Sequence, residues 1–312
     1  MTVCSFCRRR EAVYSRSYSG EALCEKCFCE SIEDKVRTAI SEYEMLQPDD
    51  RIMVALSGGK DSTTLLHILT KVEEAFPKAA LRAGTVDEGI AGYRDDALEV
   101  AADNCAKLGV PHAVISLKET YGYTLDELVD IIREKEGKGL TPCSFCGVLR
   151  RQALNTLARR VGADKLATAH TLDDETQTMM LNIIHGDALR LIRVKPVLPR
   201  VHPKLVPRIK PFCEIPEREV VLYAHLKNID YQGLSCPYAG AALRSDVRTM
   251  LNRLEEKHPG TKFTIFRSVE RIRQALEATA GAAKLEECRN CGEPTAREIC
   301  QPCHMLRNLR SP

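Results

Sequence analysis

Long apolar runs are missing from this sequence of 312 residues. No stretch approaches the roughly 18 uncharged apolar residues that a membrane helix needs, and the opening MTVCSFCRRR lacks the apolar segment of a signal peptide. We therefore predict a cytoplasmic protein that does not enter a membrane. Low-complexity tracts are also missing, and a hydrophobic content of 44% with 28% charged residues excludes wholesale disorder.

A large net charge is missing too, because the formal charge is only +2, so bulk electrostatics does not indicate a nucleic-acid-binding protein. The distribution of charge is more informative, since residues 189–212 contain no Asp or Glu. This segment carries Arg190, Arg193, Lys195, Arg200, Lys204, Arg208 and Lys210. It would neutralise phosphates if it formed one patch; the alternative is a solvated, proline-rich loop.

Cysteine, in contrast, is abundant, with 14 residues. A cytosolic compartment disfavours disulfides, so the CxxC pairs indicate metal or redox sites. Two sets of four have the spacing of tetrahedral zinc ribbons, in which four protein ligands indicate a structural role. The first set is Cys4, Cys7, Cys24 and Cys27, and the second is Cys288, Cys291, Cys300 and Cys303.

A fifth CxxC pair, Cys143 and Cys146, stands alone in the middle of the chain, where a helix predicted over 145–161 begins. A helix N-terminus lowers the pKa of a thiol and favours the reactive thiolate. Two cysteines do not complete a zinc site. The remaining candidate partners are Cys29, Cys105, Cys213 and Cys236, of which Cys236 lies in a turn-like GLSCPYA segment. A structural or redox dithiol is the alternative interpretation.

Between the terminal cysteine sets, strand and helix patterns alternate. Strands are predicted over 51–56, 80–86, 112–117 and 165–169, and helices over 93–108, 125–134, 145–161 and 173–184. This order predicts an α/β fold with a doubly wound parallel sheet, flanked by N- and C-terminal zinc ribbons. Further helices are predicted over 217–227, 241–257 and 268–280. The expected domains are 1–30 (ribbon), 31–215 (sheet domain), 216–284 (helical extension with Cys236) and 285–312 (ribbon).

The segment SGGKDS, residues 57–62, connects the first predicted strand of the sheet to a helix whose apolar face contains Leu65, Leu66 and Leu69. Its glycines allow close approach of an anion, and the helix N-terminus offers free N–H groups. Lys60 supplies a donor, while Asp61 suits Mg²⁺ or N-capping. The segment is not a Walker A motif. It resembles the PP-loop of the N-type ATP pyrophosphatases, which adenylate a substrate oxygen and release pyrophosphate.

Two other strand ends fit this resemblance, because ligands of such sheets bind at the carboxyl ends of strands. Val86 and Asp87 end the second strand, and the segment AHTLDDE, residues 169–175, resembles the GHxxDD motif with Ala169 in place of glycine. Asp173 and Asp174 would alternatively be a helix cap and first-turn charge. The resemblance implies ATP binding by Ala55, Ser57, Gly58, Gly59, Lys60, Asp61, Ser62, Val86, Asp87, Ala169 and Asp174.

Taken together, the PP-loop, the central CxxC, the later Cys-Pro-Tyr and the paired ribbons resemble the TtuA/NcsA family of tRNA 2-thiouridine synthetases. The resemblance implies that Cys143, Cys146 and Cys236 hold a [4Fe-4S] cluster by three irons, leaving the fourth open to a sulfur species. It also implies catalytic roles for Arg150, where some relatives carry Lys, and for Asp174.

The function expected from this resemblance is ATP-dependent tRNA thiolation: AMP is transferred to the C2 oxygen of a uridine, and sulfur then replaces that oxygen. The expected cofactors are ATP, Mg²⁺, two structural Zn²⁺ ions and the [4Fe-4S] cluster. Expected partners are tRNA, a second copy of the chain in a homodimer, and a sulfur donor, either free sulfide or a ubiquitin-like carrier protein. A cysteine persulfide route stays open, as do two other functions: a 2-thiocytidine synthetase and a non-catalytic RNA-binding adaptor.

Overall fold

The computed structural model describes residues 2–134, 141–239, 243–277 and 285–310. The N-terminal part contains β1 (Tyr14–Arg16), β2 (Glu21–Leu23) and α1 (Glu25–Glu42). The middle contains β3 (Arg51–Ala55), α2 (Lys60–Glu73), β4 (Ala80–Asp87), α3 (Arg94–Leu108), β5 (His112–Ser116), α4 (Leu117–Tyr121), α5 (Leu125–Glu134), α6 (Pro142–Arg160), β6 (Lys165–Ala167), α7 (Leu172–Ile184), α8 (Ala188–Ile192), β7 (Val197–Leu198) and β8 (Arg208–Ile209). The C-terminal part contains α9 (Glu217–Leu226), α10 (Leu243–Lys257), α11 (Thr261–Glu277), β9 (Glu286–Glu287), β10 (Pro294–Thr295) and α12 (Gln301–Arg310).

A six-stranded sheet in the order β5-β4-β3-β6-β8-β7 forms the centre. The first five strands in this order are parallel, and only the edge strand β7 runs antiparallel to its neighbour. The expected α/β fold with a parallel sheet is therefore confirmed, with one short antiparallel edge. Within the described part of the chain, every helix is too short or too polar to cross a lipid bilayer.

Both faces of the sheet are buried, as expected for parallel strands covered by helices. In β3, Ile52 and Val54 pack into one hydrophobic cluster, which includes Leu65 and Leu66 of α2. Met53, between them, packs into a second cluster on the opposite face. That second cluster includes Phe145 of α6, the helix that carries the central CxxC pair.

Helix α6 begins earlier than predicted, at Pro142 instead of residue 145. The side chain of Thr141 caps it by accepting a hydrogen bond from Ser144 N at 3.3 Å, and proline suits the first helical position because its fixed φ matches the helix. Cys143 consequently lies inside the first turn, instead of before the helix, and Cys146 lies in the second turn. Helix α11 also begins earlier, at Thr261 instead of 268, whereas the predicted helical residues 241–242 and 278–280 lie outside the described residues.

The N-terminal hairpin is held to α9 by a buried ion-pair network around Glu219. Arg16 Nε donates to Glu219 Oε1 at 3.1 Å, Tyr18 donates to the same oxygen at 2.5 Å, and Lys35 Nζ reaches Oε2 at 3.3 Å. Both Arg16 and Glu219 are buried, so each charge depends on the other for compensation. Helix α1, which follows the hairpin, runs without a break through residue 30, the predicted end of the N-terminal ribbon.

We expect Glu219→Gln to lower the free energy of unfolding by about 3 kcal/mol, because the change leaves Arg16 buried without its main counter-charge. The matched control is Glu298→Gln. Glu298 pairs with the exposed Arg289 at 3.0 Å, so this change should lower the free energy of unfolding by less than about 1 kcal/mol. Denaturant unfolding followed by circular dichroism measures both values. Equal effects of the two variants would show that the Glu219 network does not anchor the ribbon.

Candidate active site and metal centres

The phosphate loop between β3 and α2 has a backbone that only glycine can follow at its tightest point. Gly58 has φ +82°, and a Cβ there would lie 2.3 Å from the carbonyl oxygen of Ala97 on α3. Ser57 and Ser62 close the loop, with their Oγ atoms 2.9 Å apart. Gly59 is the N-cap of α2, so the first N–H groups of that helix open toward the same side. The loop therefore has the form of an anion cradle.

Two acidic side chains hold Lys60 at the mouth of this loop. Its Nζ lies 2.7 Å from Asp61 Oδ2 and 2.7 Å from Glu217 Oε1 on α9. The other oxygen, Asp61 Oδ1, is buried and has no hydrogen-bond partner among the described residues. Burial raises the pKa of Asp61, and the charges of Glu217 and Asp174 add to this although Lys60 opposes it. An unsatisfied carboxylate oxygen near a second carboxylate fits a Mg²⁺ ligand.

At the end of β4, the buried Arg94 connects two of the expected nucleotide-binding segments. Its guanidinium donates to Ser57 O at 2.8 Å and to Val86 O at 2.6 Å. The buried Glu88 forms ion pairs with Arg94 at 2.8 Å and with Arg150 at 3.5 Å. Sequence reasoning missed Arg94 and Glu88, since no motif contains them. Asp87, by comparison, caps its own turn by accepting from Gly89 N at 2.8 Å.

At the end of β6, the two aspartates have different surroundings. Asp174 forms a capping box with Thr171, and its Oδ1 accepts from Arg244 at 3.1 Å. Asp173 is buried, contacts Lys262, and accepts from Glu217 N at 2.7 Å. The helix-cap interpretation therefore applies to Asp174, whose other oxygen faces an exposed arginine, whereas Asp173 accepts from the first residue of α9 instead of capping its own helix. Ala169, which ends the predicted strand, lies in the loop after β6 because the observed strand stops at Ala167.

Two of the three central cysteines lie in α6, and the third lies in a segment that contacts this helix. Cys143 Sγ contacts the carbonyl oxygen of Tyr238 at 3.4 Å, which brings the Cys236 segment onto the helix. Cys146 and Cys236 both pack against the second hydrophobic cluster. The hydroxyl of Tyr238 donates to Asp126 at 2.6 Å and fixes the segment from its other side.

The remaining cysteine candidates, Cys29, Cys105 and Cys213, are buried in the core. The pKa expectation for the central pair was wrong for Cys146, because burial raises the pKa of this thiol to about 11, and the charges of Glu88 and Cys236 add to the effect. This thiol is half-buried against apolar side chains, and the helix N-terminus does not outweigh that environment. A bound metal would supply the positive charge that stabilises its thiolate.

The terminal cysteine sets are more tightly convergent than the central three. Among the described residues, the groups whose potential ligand atoms all lie within 4.8 Å of one another are Cys4, Cys7, Cys24 and Cys27, and Cys288, Cys291, Cys300 and Cys303. Four thiolates on one Zn²⁺ require such convergence. Thiolates that bind separate irons of a cluster need a wider arrangement, so the looser central trio fits that donor set.

The first cysteine of each ribbon has a similar electrostatic environment. Although burial raises the pKa of each thiol, backbone N–H groups of the knuckles lower the pKa of Cys4 and of Cys288 to about 6. Cys288 Sγ, for example, accepts from Cys300 N at 3.2 Å. These N–H groups favour thiolates at neutral pH, the form that binds a metal.

The C-terminal ribbon packs on the same helix as the central cysteines. Arg159 of α6 pairs with Glu293, and Lys204 Nζ donates to Gly292 O at 2.8 Å. Met305 of α12 is buried in the second hydrophobic cluster, next to Phe145 and Leu149 of α6. The C-terminal ribbon and α12 thus pack against α6.

Comparison with known proteins shows which proteins are similar to this chain. The profile of the PP-loop domain matches residues 29–254, and that of the N-terminal LIM domain of 2-thiouridine synthetase TtuA matches residues 3–29. The tRNA 2-thiolation protein NcsA of Haloferax volcanii is 35% identical, with 97% of this chain and 98% of that protein covered. This chain belongs to the NcsA/TtuA family of PP-loop tRNA 2-thiolation proteins.

Two further members of the NcsA/TtuA family show how the likeness extends. The tRNA-5-methyluridine(54) 2-sulfurtransferase of Pyrococcus horikoshii is 36% identical, with 96% of this chain and 92% of that protein covered. The structure of the U34-tRNA thiolase NcsA from Methanococcus maripaludis with its [4Fe-4S] cluster is similar with a TM-score of 0.85 and 35% identity, covering 99% of this chain and 97% of that one. The likeness therefore includes both terminal ribbons as well as the PP-loop domain.

We expect Cys4→Ala and Cys303→Ala each to remove one of two zinc equivalents per chain, because each ribbon supplies four thiolates to a single ion. Elemental analysis by mass spectrometry measures the content, and Cys29→Ala, a buried cysteine outside both sets, is the control. Loss of zinc should be accompanied by a lower melting temperature. Retention of both zinc ions in either ribbon variant would contradict the four-thiolate assignment.

Proposed function

We propose that this chain is an ATP-dependent tRNA 2-thiolation enzyme that adenylates the C2 oxygen of a uridine and replaces it with sulfur. One contact carries the proposal: Gln232 N donates to Gly58 O at 2.9 Å, and Gln232 pairs with Gly59 as an extra parallel bridge. Cys236 follows four residues later in the same segment. We therefore infer that the phosphate loop and the cysteine trio border one reaction cleft, as a reaction that joins nucleotide activation to sulfur delivery requires.

The first half of the reaction is activation of the uridine carbonyl. Oxide is a poor leaving group, whereas AMP is a good one, so transfer of AMP to the oxygen permits replacement by sulfur. The N–H groups at the start of α2, with Ser57 and Ser62, bind the phosphates of ATP, and Lys60 exchanges part of its contact with Glu217 for phosphate oxygens. Asp61 and Asp174 would hold Mg²⁺, which when bound would offset charge on the departing pyrophosphate.

The second half takes place at the cysteine trio. Cys143, Cys146 and Cys236 hold a [4Fe-4S] cluster, which when bound supplies an iron that is open to a sulfur species. Arg150, half-exposed and anchored to Glu88, places a positive charge beside Cys146 and faces the anionic reactants. The target base leaves its stack to reach this cleft. A persulfide on one central cysteine is the alternative sulfur carrier.

The remaining components follow from the family and the geometry. Residues 1–30 and 285–312 form ribbons that each bind one structural Zn²⁺, residues 31–215 form the PP-loop domain, and residues 216–284 add the helices and Cys236. The proposed partners are tRNA, a second copy of the chain, and a sulfur donor, either free sulfide or a ubiquitin-like carrier protein. The proposed location is the cytoplasm, as in the name of a relative that is 37% identical, the cytoplasmic tRNA 2-thiolation protein 1 of Chlamydomonas reinhardtii.

The decisive experiment supplies anaerobically prepared protein with ATP, Mg²⁺, sulfide and unmodified tRNA, followed by mass spectrometry of the nucleosides. The expected product is 2-thiouridine, and fragment mapping assigns it to one position; the names of the two relatives described above specify positions 34 and 54. Formation of 2-thiocytidine would favour the alternative function, a 2-thiocytidine synthetase. Tight tRNA binding without ATP turnover would favour the RNA-binding adaptor.

We predict that Lys60→Ala and Asp61→Ala each abolish tRNA-dependent pyrophosphate release, because the first removes a phosphate donor and the second a Mg²⁺ ligand. Both zinc ions should stay bound, since the ribbons lie elsewhere in the chain. Lys71→Ala is the matched control on the same helix. Lys71 lies away from the loop, and its Nζ pairs with Glu33 Oε1 at 2.6 Å. Normal turnover by the Lys60 variant would refute the phosphate-binding assignment.

We predict that Ala substitution of Cys143, Cys146 or Cys236 removes the cluster and thiolation while ATP binding and zinc are retained. The readouts are iron content, with about four irons per wild-type chain, visible absorption of anaerobic protein, and thiolated tRNA. Cys105→Ala is the control, because that thiol is buried in α3, where a small apolar side chain suffices. A Cys236→Ala protein with full iron and full activity would instead leave the central pair as a persulfide carrier.

A further inference from the structure

The basic segment 189–212 does not form one open patch, which the sequence left as a possibility. Most of its cations are already committed to acidic partners inside the described chain. The pairs are Arg190 with Asp187 at 3.2 Å, Lys195 with Glu277 at 2.7 Å, Lys204 with Glu287 at 2.8 Å and Lys210 with the buried Glu175 at 2.7 Å. Arg193, Arg200 and Arg208 have no such pair within the described residues, and of these only Arg208 lies on a strand of the central sheet.

Arg208 is partly buried without compensation. Its Nε atom is buried and has no hydrogen-bond partner in the described ranges, where no carboxylate lies within 4.0 Å of the guanidinium either. Burial and the nearby charge of Arg151 lower the pKa of Arg208 to about 10. A buried cation without a partner destabilises a fold unless a ligand supplies the missing charge. An anion at this position would remove that cost.

Arg151, the neighbouring cation, is exposed and stands on α6 one residue after Arg150. It too lacks an acidic partner at ion-pair distance in the part of the chain that the structure describes. Its guanidinium folds back along the helix, so that a Cβ added at Gly147 would lie 3.4 Å from Arg151 Nη1. Desolvation and the charges of Arg150 and Arg190 lower the pKa of Arg151. Positive charges thus accumulate here, as they do at phosphate-binding sites.

The location of this arginine pair relates it to the reaction. Arg151 is within electrostatic range of Cys146, and Arg208 is within range of His170 at the end of β6. Arg151 stands on the helix that carries Cys143 and Cys146, and Arg208 is in register with Leu166 of β6, the strand that leads into the Asp174 segment. The phosphate loop follows β3, whereas Arg208 lies on β8, two strands away in the sheet order. Neighbouring strands lie about 4.8 Å apart, so β3 and β8 are about 10 Å apart, and Arg208 belongs to a different strand from the one that carries the phosphate loop.

We propose that Arg208 and Arg151 bind a phosphodiester group of the substrate RNA next to the target uridine. This inference rests on the proposed thiolation function and adds to it the residues that hold the RNA backbone at the cleft. Guanidinium groups match phosphate oxygens in bidentate geometry, and two guanidiniums whose charges act on each other would both be stabilised by one phosphodiester. The phosphates of ATP already have their own donors in the phosphate loop, which favours RNA as the source of this anion.

The first test measures tRNA binding by Arg208→Gln, Arg151→Gln and the matched control Arg193→Gln, an exposed arginine from the same segment. Each of the first two changes should weaken tRNA binding by about tenfold at fixed salt. Each should also reduce the slope of log K against log salt by about one. The control should change affinity less than about twofold, and the Kd of ATP should stay constant in all three proteins.

A second test assigns the contact to one phosphate. The Kd is measured for a tRNA in which the phosphodiester beside the modified uridine is replaced by an uncharged methylphosphonate. Wild-type protein should lose about tenfold in affinity, and Arg208→Gln protein should lose little more, because the partner charge is already missing. Additive losses would overturn the proposed contact.

Other outcomes also decide the inference. A raised Kd for ATP with unchanged tRNA affinity would overturn the RNA assignment and place a nucleotide phosphate at the pair. Arg208→Lys, which keeps the charge at the buried position, separates loss of binding from misfolding: it should retain the wild-type melting temperature and part of the tRNA affinity. Since binding is measured without turnover, failure of thiolation in the wild-type protein would refute the proposed function and leave the binding result intact.

Discussion

The backbone hydrogen bond from Gln232 to Gly58 is the contact on which the active centre depends. The phosphate loop ends a strand of the sheet, whereas the Cys236 segment has almost no regular structure of its own, so its position comes from this bond and from Tyr238. On the opposite side of the loop, Arg94 holds Ser57 O, and Glu88 connects Arg94 to Arg150. Nucleotide loop and cysteine trio are thereby tied together by two independent routes, one through the backbone and one through charged side chains.

Sequence reasoning predicted the parts of the protein that have local signals. Alternation of strands and helices predicted the central sheet, glycines before a helix predicted the phosphate loop, and CxxC spacing predicted the two convergent ribbons. It did not predict Glu88 and Arg94, because their importance comes from burial and from partners far apart in the chain. The pKa of Cys146 was missed for the same reason, since apolar packing around the thiol outweighs the helix N-terminus that the sequence makes visible.

The basic segment shows the same limit for charge patterns. Its seven cations lie within one short stretch of the sequence. The acids that neutralise four of them come mostly from other elements, such as Glu175 on α7 and Glu277 on α11. A count of charges along the chain cannot include partners that folding brings in from elsewhere. Arg193, Arg200 and Arg208 all lack an acidic partner within the described residues, and what distinguishes Arg208 from the other two is that its Nε atom is buried.

The N-terminal ribbon looks like a module in the sequence, yet the fold does not treat it as one. Leu23, Cys24 and Phe28 belong to the same hydrophobic cluster as Val36 and Ile52, and Glu219 depends on Arg16 from the hairpin. A chain shortened to begin after the ribbon would expose the apolar side of α1 and leave Glu219 buried without its arginine. The PP-loop domain of this protein is consequently not a self-sufficient unit to which a ribbon was appended, and exchange of ribbons between relatives would require the facing residues of α9 to change with them.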